Sequence, residues 1–263
     1  MSNDEQLENL IVSDTKRKII LDYDFKYEFH QNSLELEISS NRVIAIAKKS
    51  KVDYIILNKG NAKRFNAELT ENGIGLILNY NSKNHFLKDI HDISTLEDID
   101  YFSPKGVLFR TFISEDFNNI DSYNEVFSHL LDSNRFICGN VIVSGTKNQY
   151  NNSTIEDLLY SLNAAQELGY NAFIISDIIS LDELEEILLA SEIDIWLAIK
   201  NINDIDDLLH RAKEYRELGI AGIVLGKSFL SLFDSPKVIT SLRKVFVDNK
   251  SIDDAIKEVQ TTN

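Results

Sequence analysis

The chain has 263 residues, 43% of them hydrophobic, and 42 acidic against 27 basic side chains set its formal charge at −15. Such a surface repels both a nucleic-acid backbone and an anionic membrane, which excludes them as main partners while leaving local basic pockets open. A length of this order buries a full core, and barrels of this size are commonly one domain. At the start, Met1 to Leu10 are acidic and polar, unlike the basic head and apolar core of a secretory signal, and no apolar run approaches a membrane span. A cytoplasmic protein is expected, with residues 1–14 an extension ahead of a domain over 15–263. Eight short apolar runs then recur at roughly 20 to 35 residue spacing: Lys18–Leu21, Tyr54–Leu57, Gly75–Leu78, Val107–Phe109, Asn140–Val143, Ala172–Ile175, Ile193–Ile199 and Gly222–Leu225. Between them, helical character is expected over Ser40–Lys49, Ala62–Glu71, Ser122–Asp132, Thr154–Leu168, Leu181–Ala190, Ile205–Leu218 and Ser235–Val247. In Thr154–Leu168 the apolar Ile155, Leu158, Leu159, Leu162 and Ala165 fall at three-to-four spacing on one stripe. Ser153 or Thr154 caps its start, and Gly169 suits the left-handed turn that ends it, a pattern repeated at Leu218 and Gly219. Glu97, Asp98 and Asp100, behind Ser94 and Thr95, are expected to form a solvated loop between the third and fourth strands, and Ser251–Val259 a short closing helix.

Strands alternating with helices imply parallel pairing through right-handed crossovers, and eight such units at this length fit one closed (β/α)8 TIM barrel of the α/β class. Function then sits at the carboxyl ends of the strands. The residues expected there are Asp22 and Asp24 from the first strand, Asn58 and Lys59 from the second, and Asn79 and Tyr80 from the third. Arg110, Ser144, Ser176, Asp177, Lys200, Lys227 and Ser228 follow from the fourth to the eighth. Carboxylates mixed with cations suit an anionic small molecule, and a lysine desolvated in that mouth has its pKa lowered toward nucleophilic attack on a carbonyl. The plainer reading is that barrels place polar residues wherever a strand leaves the core.

Several segments, in order, resemble the archaeal-type class I fructose-bisphosphate aldolases and their relatives in the deoxyribose-phosphate aldolase superfamily. They are Ile19-Ile-Leu-Asp-Tyr-Asp24, Val52-Asp-Tyr-Ile-Ile-Leu-Asn-Lys-Gly60, Ala164–Ile175 and Ile220-Ala-Gly-Ile-Val-Leu-Gly-Lys-Ser-Phe229. The resemblance spans about residues 15 to 247 and implies a barrel that acts on a phosphorylated sugar or keto compound through a Schiff base and assembles into a homo-oligomer. It also implies an anion site at Gly226, Lys227 and Ser228, where backbone amides precede a helix start.

The departures are as informative. The family's nucleophile is a lysine at the end of the sixth strand, and the register set by Gly169 places Ser176 there. The family's Asp-His-Gly after the first strand reads Asp24-Phe25-Lys26, the aromatic acid/base after the fifth falls near Ser144 and Gly145, and Ile199-Lys200-Asn201 stands where paired glycines are expected. Two readings follow. In the first, aldolase chemistry is lost and the protein acts as a ligand-binding, regulatory or assembly subunit. In the second, a displaced lysine, Lys200 or Lys59, does the chemistry with Asp24 as proton-transfer partner.

Other motifs argue for no cofactor. Leu225-Gly-Lys-Ser lacks the glycine five positions before Gly226 that a nucleotide P-loop needs, since Ala221 stands there, and no Gly-x-Gly-x-x-Gly element is present. The five histidines show no metal-ligand spacing, so no metal is expected. Cys138, the lone cysteine, lies beside Phe136 and Ile137 and reads as a packed thiol, as Trp196 reads as a core residue.

Overall fold

The computed structural model describes residues 17–23, 39–83, 90–113, 120–133, 135–143, 154–176, 179–199, 204–226, 229–230 and 234–260. The elements run β1 (Lys18–Asp22), α1 (Ser40–Ser50), β2 (Tyr54–Leu57), α2 (Lys59–Glu71), β3 (Gly75–Asn79), β4 (Asn81–Lys83), β5 (Ile90–Asp92), α3 (Leu96–Phe102) and β6 (Gly106–Ile113). There follow α4 (Ile120–Asp132), β7 (Phe136–Val143), α5 (Ile155–Glu167), β8 (Ala172–Ser176), α6 (Leu181–Ala190), β9 (Asp194–Ile199), α7 (Ile205–Leu218), β10 (Gly222–Leu225), α8 (Ser235–Phe246) and α9 (Ile252–Gln260). Eight strands close in the order β1-β10-β9-β8-β7-β6-β3-β2, every neighbouring pair parallel. This is a single (β/α)8 TIM barrel, as the alternation of runs predicts. Among the described residues no helix is long and apolar enough to cross a membrane.

Two-residue alternation sorts each strand into two faces. One face packs outward under the helices, as Ile19, Leu21, Ile55, Leu57, Leu76 and Leu78 do. The other fills the barrel with Ile20, Ile56, Ile77, Leu108, Cys138 and Val224. The floor of that interior is aromatic. Tyr54 meets Phe136 edge to face at 5.3 Å, and Phe136 meets Trp196 at 5.9 Å. Each ring lies over a glycine of the neighbouring strand: a methyl group at Gly75 would lie 2.4 Å from Tyr54, at Gly106 2.2 Å from Phe136, and at Gly222 2.7 Å from Trp196. Three large rings therefore share one layer because three strands give up their side chains beneath them. Cys138 is wholly buried in this interior, and burial raises its thiol pKa far above the usual range.

The helix ends follow local chemistry. Gly169 and Gly219 take φ of 86° and 103°, the left-handed turns expected after the fifth and seventh helices. Two expectations are corrected. Residues 96–102 form the helix α3 rather than a solvated loop, because the Thr95 hydroxyl accepts from the Asp98 amide while the Asp98 carboxylate accepts from the Thr95 amide, closing a capping box. The fifth barrel strand begins at Phe136, not Asn140, and runs through Gly139, where a Cβ would stand 1.7 Å from the Phe109 carbonyl oxygen. The small antiparallel pair β4 and β5 is an addition to the expected barrel.

Candidate functional site at the carboxyl ends of the strands

Two residues beyond the apolar interior layer, the same faces of the first five barrel strands carry Asp22, Asn58, Asn79, Arg110 and Asn140. Asn79 is fully buried and Asn58 nearly so. Burial of amides without partners is costly, and here they are paired. Asn79 Nδ2 donates to Asn58 Oδ1 at 3.0 Å, and its own Oδ1 accepts from Arg110 Nη1 at 3.1 Å. The guanidinium is held from a second side, because Nη1 also donates to the Asn81 carbonyl at 2.8 Å.

Asn81 explains how that geometry is kept. The β3–β6 ladder runs to Asn79 opposite Leu108, and the Tyr80 amide donates to the Leu108 carbonyl at 3.0 Å. Beyond it, the Asn81 side chain takes over the ladder: Oδ1 accepts from the Arg110 amide at 2.8 Å and Nδ2 donates to the Arg110 carbonyl at 2.9 Å. Ser94 Oγ closes the edge on the Asn79 carbonyl at 2.8 Å. Arg110 is thus fixed through its backbone and its guanidinium by the same neighbouring segment. Its charge reaches the interior: burial dominates in raising the Cys138 thiol pKa, Arg110 opposes it by favouring the thiolate, and Asp22 adds to it. Chemically this is a rigid hydrogen-bonding shelf. A guanidinium and neutral amides orient and bind oxygen atoms, but they do not exchange protons near neutral pH.

Of the residues expected at the mouth, the structure brings Asn58, Asn79 and Arg110 into one network and sets Asp22 on the same face. Ser176 closes β8. Gly226 follows β10, and its carbonyl accepts from the Phe229 amide at 3.2 Å. Lys59 stands on the first turn of α2 and pairs with Asp98 of α3 at 3.3 Å, with half of its side chain exposed. Tyr80 has the opposite parity: it stacks on Phe109 at 5.0 Å beneath the helices, and burial, with Asp92 adding to it, pushes its phenol pKa up to about 12. Asp24, Ser144, Asp177, Lys200, Lys227 and Ser228 lie outside the described residues. The parts that strand-end reading missed are Asn81 and Ser94, whose signal was their place just after the third strand and just before a capped helix. Among the described residues no group of three or more His, Cys, Asp or Glu is placed to hold a metal ion.

Comparison by sequence matches no family profile and no curated protein. Solved structures do match in shape. An archaeal fructose-1,6-bisphosphate aldolase, with its catalytic Lys covalently bound to the carbinolamine intermediate of the substrate, superposes with a TM-score of 0.74 at 16% identity, covering 93% of this chain and all of the other. The fructose-bisphosphate aldolase from Slackia heliotrinireducens DSM 20476 reaches 0.81 at 12% identity, over 97% of this chain and 89% of that one. Orotidine 5'-phosphate decarboxylase from Pyrococcus horikoshii OT3 reaches 0.57 at 13% identity, over 87% and 98%. At such identities the likeness is one of fold.

Proposed function

We propose that this chain is a divergent barrel of the class I aldolase group that binds an anionic small molecule, such as a sugar phosphate, without Schiff-base chemistry, as a ligand-binding, regulatory or assembly subunit. One observation supports the reading: β8, the sixth barrel strand, closes on Ser176, and the resemblance implies a lysine at the end of that strand. A hydroxyl forms no imine with a carbonyl. Support comes from β2, β3 and β6 elsewhere in the barrel, whose mouth residues Asn58, Asn79 and Arg110 bind oxygen atoms and shuttle no protons. In this reading Gly226, Lys227 and Ser228 take the anionic group through backbone amides and one cation. Homo-oligomeric assembly belongs to the same proposal.

A second reading is favoured by strand parity. Trp196 and Ala198 pack into the barrel interior, and Lys200 is the next residue of that parity along the chain. A lysine desolvated there would have its pKa lowered, and Asp24, sharing the parity of Ile20 and Asp22, would serve as proton-transfer partner in a carbon–carbon lyase. Lys59 is the weaker candidate, being half exposed and paired with Asp98.

Borohydride treatment with a panel of sugar phosphates and keto compounds, read by intact mass, separates the two. Saturable binding with no covalent adduct supports the subunit reading. An adduct lost in Lys200→Met overturns it in favour of the lyase.

A further inference from the structure

At the opposite end of the barrel, a cavity of about 510 Å³ opens between the amino-terminal ends of β1, β2 and β3 and the last turns of α1 and α2. Its volume lies in the range of small-molecule sites. Its wall is cationic, with Lys18, Lys48, Lys51, Lys105 and Arg243 against the single carboxylate Asp53. In a chain of charge −15 that inversion is local and concentrated.

Part of this charge has a structural counterpart. Arg243 grips Asp53 with two bonds of 2.8 and 3.3 Å while Asp53 also accepts from the Ile19 amide at 2.8 Å, and Lys48 pairs with Glu68 at 2.8 Å. Lys18 lies 5.8 Å over the Tyr54 ring and acts on Asp194, lowering a carboxyl pKa that burial raises. Lys51 and Lys105 are exposed and have no ion-pair partner among the described residues. The carboxyl ends of α1 and α2 point here, and two helix ends together offset about one positive charge. The two lysines therefore leave roughly one positive charge uncompensated, beside three further cations whose existing pairs can be shared with a ligand. Lys51 also closes α1. Its backbone is left-handed, φ 50° and ψ 49°, at the cap of α1, where glycine fits without steric cost and lysine does not.

We propose that this groove is a second binding site, remote from the barrel mouth, for a compact multiply charged anion of the polyphosphate or phosphorylated-metabolite class. It stands independently of the reading of the mouth. Isothermal titration of the full chain with inorganic tripolyphosphate at low ionic strength tests it, using wild type, Lys51→Ala/Lys105→Ala, Lys51→Gly, Lys227→Glu and the remote control Lys213→Ala. The expected result is a saturable site that persists in Lys227→Glu, where the anion site proposed at the mouth is removed, is weakened more than about tenfold by the double variant and is unchanged by Lys213→Ala. Lys51→Gly should weaken binding while its thermal midpoint holds or rises, an opposition that damaged folding does not produce. Absence of saturable binding in wild type, equal binding by the double variant, or loss confined to Lys227→Glu overturns the proposal, the last by assigning the anion to the mouth.

Discussion

Replacing Asn79 with alanine tests whether the amide network holds the mouth together. Asn79 is fully buried and donates to Asn58 Oδ1 at 3.0 Å while accepting from Arg110 Nη1 at 3.1 Å. Truncation leaves the Asn58 carbonyl oxygen without this donor and takes one acceptor from a guanidinium. Each buried polar group left short costs roughly 1–3 kcal/mol. The arginine keeps its 2.8 Å bond to the Asn81 carbonyl, which puts its share at the lower end. The expected loss is therefore about 2–4 kcal/mol, equivalent to roughly 4–8 °C in midpoint for a domain of this size. Urea unfolding followed by the fluorescence of Trp196, the single tryptophan, reads it, because that ring sits in the barrel floor and reports global unfolding. Asn79→Asp should fall between alanine and wild type at neutral pH: it loses the donor to Asn58 but sets a negative charge beside Arg110. A loss below about 0.5 kcal/mol for the alanine variant, with the denaturant slope unchanged, would refute the network as a stabilising element.

Gly106→Ala forces a methyl group to within 2.2 Å of the Phe136 ring and should cost about 1–3 kcal/mol, whereas Gly60→Ala, in the first turn of α2 with nothing near its Cβ, should be neutral or stabilising by up to about 1 kcal/mol; paired denaturation curves check both. Cys138 should resist an aromatic disulfide reagent in the native state and react at the rate of global unfolding, since burial holds it as the neutral thiol; fast native-state labelling contradicts that placement. The raised phenol pKa of Tyr80 makes stability alkaline-sensitive. An acid whose folded pKa lies above its unfolded value near 10 contributes fully below pH 10 and loses that contribution as pH climbs through about 12. A late fraction of the phenolate absorbance should accordingly appear together with the loss of far-ultraviolet circular dichroism over pH 10–12, and complete phenolate formation by pH 10.5 with the fold intact would contradict it.

The barrel was legible because its signals are local. Runs such as Tyr54–Leu57 and Gly222–Leu225 are short and apolar on both faces, as a parallel strand between helices requires, and each sits where a strand is found. The misreadings came where a local signal was short or interrupted. Seven residues are too few for helical periodicity to show in α3, yet the Thr95 and Asp98 spacing that caps it stands in the sequence and outweighed its acidic appearance. Gly139 interrupts the apolar run from Phe136, so the fifth strand was read from the residue after it; the glycine is there because the Phe109 carbonyl occupies the space of a side chain.

The site was legible to the level of parity and no further. That Asn58, Asn79 and Arg110 follow or close apolar runs is read from those runs, although β6 continues past Arg110 to Ile113, and two-residue alternation turns them to the inside. Which of them bond is a long-range matter. Asn58 and Asn79 meet across 21 positions of sequence and Asn79 and Arg110 across 31, and the bonds depend on the stagger between β2, β3 and β6. A one-residue slip of β6 against β3 would turn Arg110 under the helices and bring Phe109 into the mouth. The Asn81 amide, clasping the Arg110 backbone just past the last ladder pair, is placed to resist that slip. An asparagine there is accordingly a register lock as much as a polar lining residue, and its exchange for aspartate, which cannot donate to the Arg110 carbonyl, should loosen the mouth without disturbing the barrel floor.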